Sequence, residues 1–219
     1  MKYKEIFFDL DGTITEPALG ITNGIIYALD KYNIKVSDRR ELYKFIGPPL
    51  RDSFSMYYGF DKDEVEKVVA YYREYYSDMG IIENEPMPGI EKALSRLKSA
   101  GLKLYVATSK PEKFAIQILE HLNLLSYFDI VAGSSMDGSR DSKESVIKYL
   151  IEQIHKDGND DISPIMVGDR MYDVEGASKC GIDCIGVTFG YGDRQELEEA
   201  GANIIVDTAE EIADYILAH

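Results

Sequence analysis

Apolar positions along the chain fall into two kinds of run. The stretches "EIFFDL", "LKLYVAT", "FDIVAG", "PIMVGD", "DCIGVT" and "NIIVD" have strand length and little alternation. Such nearly continuous runs fit strands buried on both faces. Between them, apolar residues recur at helical spacing. Ile90, Ala93, Leu94 and Leu97 share one face before Gly101, and Phe114, Ile118, Leu119 and Leu122 form another. Val146, Ile147, Leu150, Ile151 and Ile154 form a third, with Ser142 placed as N-cap. The segment "DTAEEIADYILAH" predicts a closing amphipathic helix. Strand and helix in alternation predict a doubly wound, Rossmann-like α/β fold: a parallel sheet with helices on both faces.

The first alternation is delayed. After "DLDGT" the next core-like strand waits until Leu102, and the residues between read as helix. "TNGIIYALDKYNI" and "DKDEVEKVVAYYREYYSDM" are the clearest pieces; in the second, Val65, Val68, Val69, Tyr72, Tyr76 and Met79 follow helical spacing. Prolines and glycines punctuate the block at "GPP" and "EPMPG". The expected organisation is a catalytic core made of residues 1–16 and 87–219, with residues 17–86 inserted as a helical-bundle cap. Nine of the 16 tyrosines lie in that insert. Most are expected to pack amphipathic helices, with a few left to line a cleft between the two parts.

Ligands of open parallel sheets bind at the carboxyl ends of the strands. Strand one ends in Asp9, Leu10, Asp11, Gly12 and Thr13; "LYVAT" ends in Thr108, Ser109 and Lys110; "PIMVGD" ends in Asp169, with Asp173 four residues on. Four carboxylates brought to one point need cations. A hard divalent ion with oxygen ligands fits, and Mg²⁺ is the usual choice beside phosphate. Gly12 permits close backbone approach, Thr13, Thr108 and Ser109 offer hydroxyls, and Lys110 or a lysine from elsewhere supplies positive charge. This set points to phosphoryl transfer. A carboxylate can itself attack phosphorus, which divides the labour of the first pair: Asp9 as nucleophile, Asp11 as proton donor and acceptor.

Charge narrows the partners. The 219-residue chain carries a formal net charge of −15, so nucleic acid and anionic membrane surfaces are not expected partners. No apolar run approaches the ~18 residues of a membrane span, and the N-terminus lacks a signal-peptide pattern. Cys180 and Cys184 are too few for a disulfide framework and read as buried structural thiols; a metal pair would need further Cys or His ligands nearby. The expected location is cytoplasmic. His121 and His155 are expected at helix C-termini, where a cation is favourable, rather than in catalysis.

"DLDGT", "ATS", a lone lysine ahead of a helix and "GDRMYD" together resemble the four motifs of the haloacid dehalogenase-like hydrolases, over nearly the whole chain. "FIGPPL", "PMPGIEKAL" and "IGVTFGYG" resemble the phosphoglycolate phosphatase-like branch, whose helical cap follows the first motif. The resemblance implies that Asp9 is nucleophile and metal ligand, and that Asp11 is general acid/base with a main-chain carbonyl on the metal. It further implies that Thr108 binds the phosphoryl group, that Lys143 is the third-motif lysine, and that Asp169 and Asp173 serve Mg²⁺. One departure is the context of Lys143, "SKES" where many phosphoglycolate phosphatases carry "KPxP", which loosens inference about substrate. Lys110 competes with Lys143 for the phosphate role. Arg51, in "GPPLRDSF", is a candidate for a substrate anion, with a surface salt bridge as the alternative; Thr15, Glu16 and Tyr191 are candidates for the rim.

The function expected is a Mg²⁺-dependent phosphatase of small phosphate monoesters acting through an aspartyl-phosphate, with no obligate protein partner. The alternatives are a 5'-nucleotidase acting on nucleoside monophosphates and a β-phosphoglucomutase-like phosphosugar mutase.

Overall fold

In the computed structural model, which describes residues Met1–His219, the first strand lies in the middle of a six-stranded parallel sheet. This strand, β1 (Glu5–Phe8), leads into a two-residue strand β2 (Thr15–Glu16) and then a helical block. The block holds α1 (Ala18–Asp30), a 3-10 turn (Arg39–Phe45), α2 (Leu50–Tyr58), α3 (Lys62–Tyr75) and a π-helical turn (Tyr76–Gly80). The chain returns through β3 (Glu85–Pro86) and α4 (Ile90–Ser99). It continues as β4 (Lys103–Pro111), α5 (Glu112–His121), β5 (Ile130–Ser134) and α6 (Lys143–Lys156). The remaining elements are β6 (Pro164–Gly168), α7 (Met171–Lys179), β7 (Asp183–Val187), α8 (Arg194–Ala200), β8 (Ile204–Val206) and α9 (Ala209–Ala218). Sheet order is β5–β4–β1–β6–β7–β8, so β1 has β4 on one side and β6 on the other.

Each central strand buries both faces, as its continuous apolar run requires. Ile6 and Phe8, Leu104 and Val106, and Ile165 and Val167 face the layer of α4, α5 and α9. Phe7, Tyr105 and Met166 face α6 and α7 on the other side. The two-residue period of a strand makes this division automatic. Neither cysteine forms a disulfide; Cys184 is buried and Cys180 half-buried. No helix is long and apolar enough to cross a membrane.

The inserted cap is joined to the core at one narrow place. Thr15 pairs with Pro86 and Glu16 with Glu85 in a short antiparallel ribbon, and the Met87 amide donates to the Ile14 carbonyl at 2.9 Å. Exit and return therefore lie side by side. Within the cap, Val65, Val68, Val69, Tyr72 and Tyr76 are buried as their spacing predicts. Met79 is not; it is 46% exposed. The reason is the π turn over Tyr76–Gly80, whose extra residue per turn rotates the following side chains off the 3.6-residue face. Gly80 belongs to that turn because a Cβ there would lie 2.3 Å from Cδ2 of Tyr76.

Helix α3 begins with a reciprocal cap. The Asp61 carboxylate accepts from the Asp63 and Glu64 amides, both at 2.9 Å, and Glu64 Oε2 accepts from the Asp61 amide at 3.0 Å. Replacing such a cap by alanine costs about 1 kcal/mol. Asp61→Ala is therefore expected to lower the melting temperature by roughly 2–4 °C, the scale for a chain of this size. Thermal unfolding followed by circular dichroism checks this, and an unchanged midpoint would mean the box contributes nothing.

Candidate active site

The site starts with a tight turn after β1. The Leu10 carbonyl accepts from the amides of Thr13, Ile14 and Thr15 at 3.3, 2.9 and 2.9 Å. Gly12 takes φ +83°, and a Cβ on it would fall 2.2 Å from Asp169 Oδ2. Glycine therefore serves both the backbone conformation and the approach of the β1 loop to the β6 loop. The Asp9 amide donates to the Val167 carbonyl at 2.8 Å, which continues the sheet to the first carboxylate.

Lys143, the first residue of α6, puts its ammonium 2.8 Å from Asp9 Oδ1 and 2.7 Å from Asp173 Oδ1, and donates to the Ala107 carbonyl at 3.0 Å. Asp173 sits in the first turn of α7, where its Oδ2 accepts from the Arg170 amide at 3.1 Å. Asp169, just past β6, is fully buried; its Oδ2 accepts from the Tyr191 amide at 2.7 Å, and its Oδ1 has no partner. One oxygen from each of Asp9, Asp169 and Asp173 lies within 4.8 Å of the others.

Burial, then Asp173 and Asp9, push the Asp169 carboxyl well above the usual range. Burial and Asp9 push Asp173 up to about 6, against the pull of Lys143. Lys143 is held above its ordinary value: burial disfavours its charge, but Asp173 and Asp9 outweigh that. Three carboxylates against one ammonium leave two negative charges in a buried place. An all-oxygen donor set, an unpartnered Asp169 oxygen and that surplus charge fit a hard dication of the Mg²⁺ kind.

Asp11 turns to a different lysine. Lys110 Nζ lies 2.9 Å from Asp11 Oδ2 and donates to the Tyr76 hydroxyl of the cap at 2.6 Å. Burial raises the Asp11 pKa, and Lys110 only partly opposes it. Lys110 itself is raised, because Asp11 and Tyr76 exceed the effect of its burial. Strand β4 loses regular register between Ala107 and Pro111, and this irregular end carries Thr108, Ser109 and Lys110. The Thr108 hydroxyl accepts from the Lys110 amide at 3.2 Å.

A cleft of about 140 Å³ opens between cap and core. Asp9, Asp11, Thr108, Ser109 and Lys110 line it from the core, and Arg51, Tyr72, Arg73 and Tyr76 from the cap. Tyr72 and Tyr76 are the cap tyrosines in this lining. Arg51 is gripped by Glu66 through two hydrogen bonds, of 2.6 and 3.0 Å. Gly12 and Thr13 sit in the turn beneath, with the Thr13 hydroxyl buried and without a partner. Thr15, Glu16 and Tyr191, the candidates for the rim, are not among the residues that line the cleft: the Tyr191 hydroxyl donates to Glu16, and Thr15 is wholly buried in the turn.

The structure thus gathers Asp9, Asp169, Asp173 and Lys143 in one cluster and Asp11 with Lys110 in a second. Sequence reasoning missed Tyr76 as a partner of Lys110 and the Tyr191 amide as a partner of Asp169. Helical spacing marks Tyr76 as a core residue and carries no sign that its hydroxyl reaches across to β4.

The model of the haloacid dehalogenase-like hydrolase family matches residues 6–187. A 5'-nucleotidase of Pseudomonas aeruginosa is 42% identical over 90% of this chain and 88% of its own length. A phosphoglycolate phosphatase of Mesorhizobium japonicum is 28% identical, over 88% and 86% of the two chains. The crystal structure of a predicted phosphatase from Clostridium acetobutylicum superposes with a TM-score of 0.94 at 47% identity, covering 99% of each chain.

In metal-free buffer the raised pKa values of Asp169 and Asp173 mean that the folded state holds more protons than the unfolded chain. The Asp173 share of stability is present at low pH and is lost as pH rises from the unfolded value near 4 through about 6, and the Asp169 share is lost in the same direction. Asp173→Asn keeps the Asp169 titration but lacks that of Asp173. Its melting temperature in EDTA is expected to gain on the wild type as pH climbs through that window. Excess Mg²⁺ is expected to raise the wild-type midpoint more than that of the variant. Parallel pH profiles for the two proteins would contradict the assignment.

Proposed function

The chain belongs to the haloacid dehalogenase-like hydrolases, and from that premise we propose that it is a Mg²⁺-dependent phosphatase of small phosphate monoesters working through an aspartyl-phosphate. The observation that carries this reading is the buried group of Asp9, Asp169 and Asp173 around Lys143, opening into a cleft that Asp11 and Thr108 also line.

In the first half-reaction an Asp9 oxygen bonds to phosphorus as the bond to the leaving oxygen breaks, and Asp11 gives that oxygen its proton. A raised pKa suits Asp11 to arriving protonated. In the second, the Asp11 carboxylate takes a proton from water, the water oxygen bonds to phosphorus, and the Asp9–phosphorus bond breaks to release phosphate. The Thr108 hydroxyl and the Lys143 ammonium hold the phosphoryl oxygens, with the Ser109 hydroxyl and the turn at Gly12 and Thr13 nearby. Asp9, Asp169 and Asp173, with the main-chain carbonyl of Asp11, are the residues that would hold Mg²⁺, which neutralises phosphoryl charge when bound. Lys110 is assigned to Asp11 rather than to the phosphoryl group, because its ammonium is 2.9 Å from that carboxylate. The ribbon that pairs Thr15–Glu16 with Glu85–Pro86 supports a cap spanning residues 17–86.

Phosphoglycolate-like esters are the first substrate class. Nucleoside 5'-monophosphates are the second, favoured by the 42% identity to a protein named as a 5'-nucleotidase.

With Mg²⁺, the protein is expected to release phosphate from p-nitrophenyl phosphate and from members of a panel holding both classes. Asp9→Asn is expected to lower kcat by roughly 10⁶-fold, the scale seen when a nucleophile is removed. Wild type that released phosphate from none of these would end the phosphatase reading. Full turnover by Asp9→Asn would end the covalent one, and glucose 1-phosphate formed from glucose 6-phosphate would turn the assignment to a mutase.

A further inference from the structure

Nearly every cation around the cleft is already committed. Lys143 faces Asp9 and Asp173, Lys110 faces Asp11, and Arg51 is held at both ends of its fork by Glu66. Arg73 is the exception. It lines the same cleft and is half-buried, yet no carboxylate lies within ion-pair distance of it and it donates no hydrogen bond. Asp52 and Asp141 also line the cleft, and neither pairs with it. The chain carries a net charge of −15, so anionic partners are not scarce. Glu66 attracts Arg73 only from beyond ion-pair distance while Arg51 repels it, and a guanidinium partly withdrawn from water without a close counter-ion is costly unless a ligand supplies one.

Its position gives the ligand's shape. Val69, Tyr72, Arg73 and Tyr76 lie at helical spacing on the cleft-lining face that runs from α3 into the π turn. Tyr76 marks the catalytic end of that face, through Lys110 to Asp11. Arg73 is one turn earlier, about 4.5 Å along the axis. The rings of Tyr72 and Tyr76 stack at 5.1 Å between centroids and form the apolar wall beside it. Asp9 and Arg73 line the same cleft, which makes Arg73 a candidate for the far end of a short molecule whose phosphate sits at Asp9.

We infer that Arg73 is a specificity-determining residue that receives a second anionic group, a carboxylate or a further phosphate, at the far end of a small phosphate monoester. The planar fork of arginine matches either group through paired hydrogen bonds. A substrate with a neutral tail leaves that fork unpaired inside the cleft, which is how such a site discriminates. Glu66 has a matching part: by occupying Arg51 it keeps a second guanidinium from adding to the subsite.

This inference rests on the phosphatase reading and asks which esters are preferred. The probes are 2-phosphoglycolate, ethylene glycol bisphosphate and ethyl phosphate, the last sharing the two-carbon length without the second charge, with adenosine 5'-monophosphate as a longer neutral-tailed ester. Wild type is expected to prefer one or both of the first two by kcat/KM, and the better one identifies the anion. Arg73→Gln is expected to cut that preference by about tenfold or more, the scale for a lost charge-assisted hydrogen bond, chiefly through KM. Arg73→Lys is expected to restore part of it. Glu66→Gln, which frees Arg51, is expected to move KM for the doubly anionic esters downward. Equal kcat/KM for charged and neutral tails, or a preference untouched by Arg73→Gln, would overturn the inference while leaving the phosphatase intact. No hydrolysis of any ester, p-nitrophenyl phosphate included, would remove both.

Discussion

The candidate site is organised around a buried charge imbalance. Asp9, Asp169 and Asp173 converge with only Lys143 to oppose them, and the surplus is paid in raised carboxyl pKa values. A buried group of this kind marks a functional site, and it fits the cation and anionic substrate proposed above. The surrounding construction serves to hold that imbalance in place. Strand order sets β1 between β4 and β6, so loops distant in sequence open at one edge. Gly12 lets two of those loops approach more closely than any side chain would permit. The Tyr191 amide fixes one oxygen of Asp169 and leaves the other without a protein partner.

Two lysines divide the carboxylates into two working pairs. Lys143 comes from a helix start on the core, and Lys110 from the irregular end of β4. Only the second is tied to the cap, through the Tyr76 hydroxyl. The carboxylate proposed to attack therefore rests wholly on core elements. The carboxylate proposed to move protons shares its lysine with a residue of the insert. Docking of the cap and placement of Asp11 are in this way linked by one short chain of polar contacts, and a shift of the π turn would be felt first at Lys110.

Much of the core was legible because its signals are local and redundant. A strand buried on both faces must be apolar at every position, and a polar residue at its end stands out, as Asp9, Thr108 and Asp169 do. The cap was legible only as helices. Its π turn inserts one residue into the periodicity, so Met79 points outward although the pattern places it inside. The ribbon at its base has two residues per strand, too few to carry a period. The grip of Glu66 on Arg51 joins two helices, and Tyr76 bonds through the tip of a ring whose body is packed like any core aromatic. Spacing reports which face a residue occupies and is silent about where a long side chain ends.

That division follows the chemistry. Phosphoryl transfer needs the same few charges whatever the leaving group, so the residues proposed for it sit at strand ends held by a rigid sheet. Recognition of the rest of the substrate has no fixed composition. In the reading proposed here it falls to the cap, where α3 and the π turn present Tyr72, Arg73 and Tyr76 on one cleft-lining face. Replacing residues on that face alters the cleft without touching a ligand of the carboxylate cluster. One core can therefore serve relatives named for different substrates, such as the 5'-nucleotidase and the phosphoglycolate phosphatase that match this chain over most of its length. On this argument the charge pattern of the α3 face, more than overall identity, is the feature to compare when a substrate is assigned.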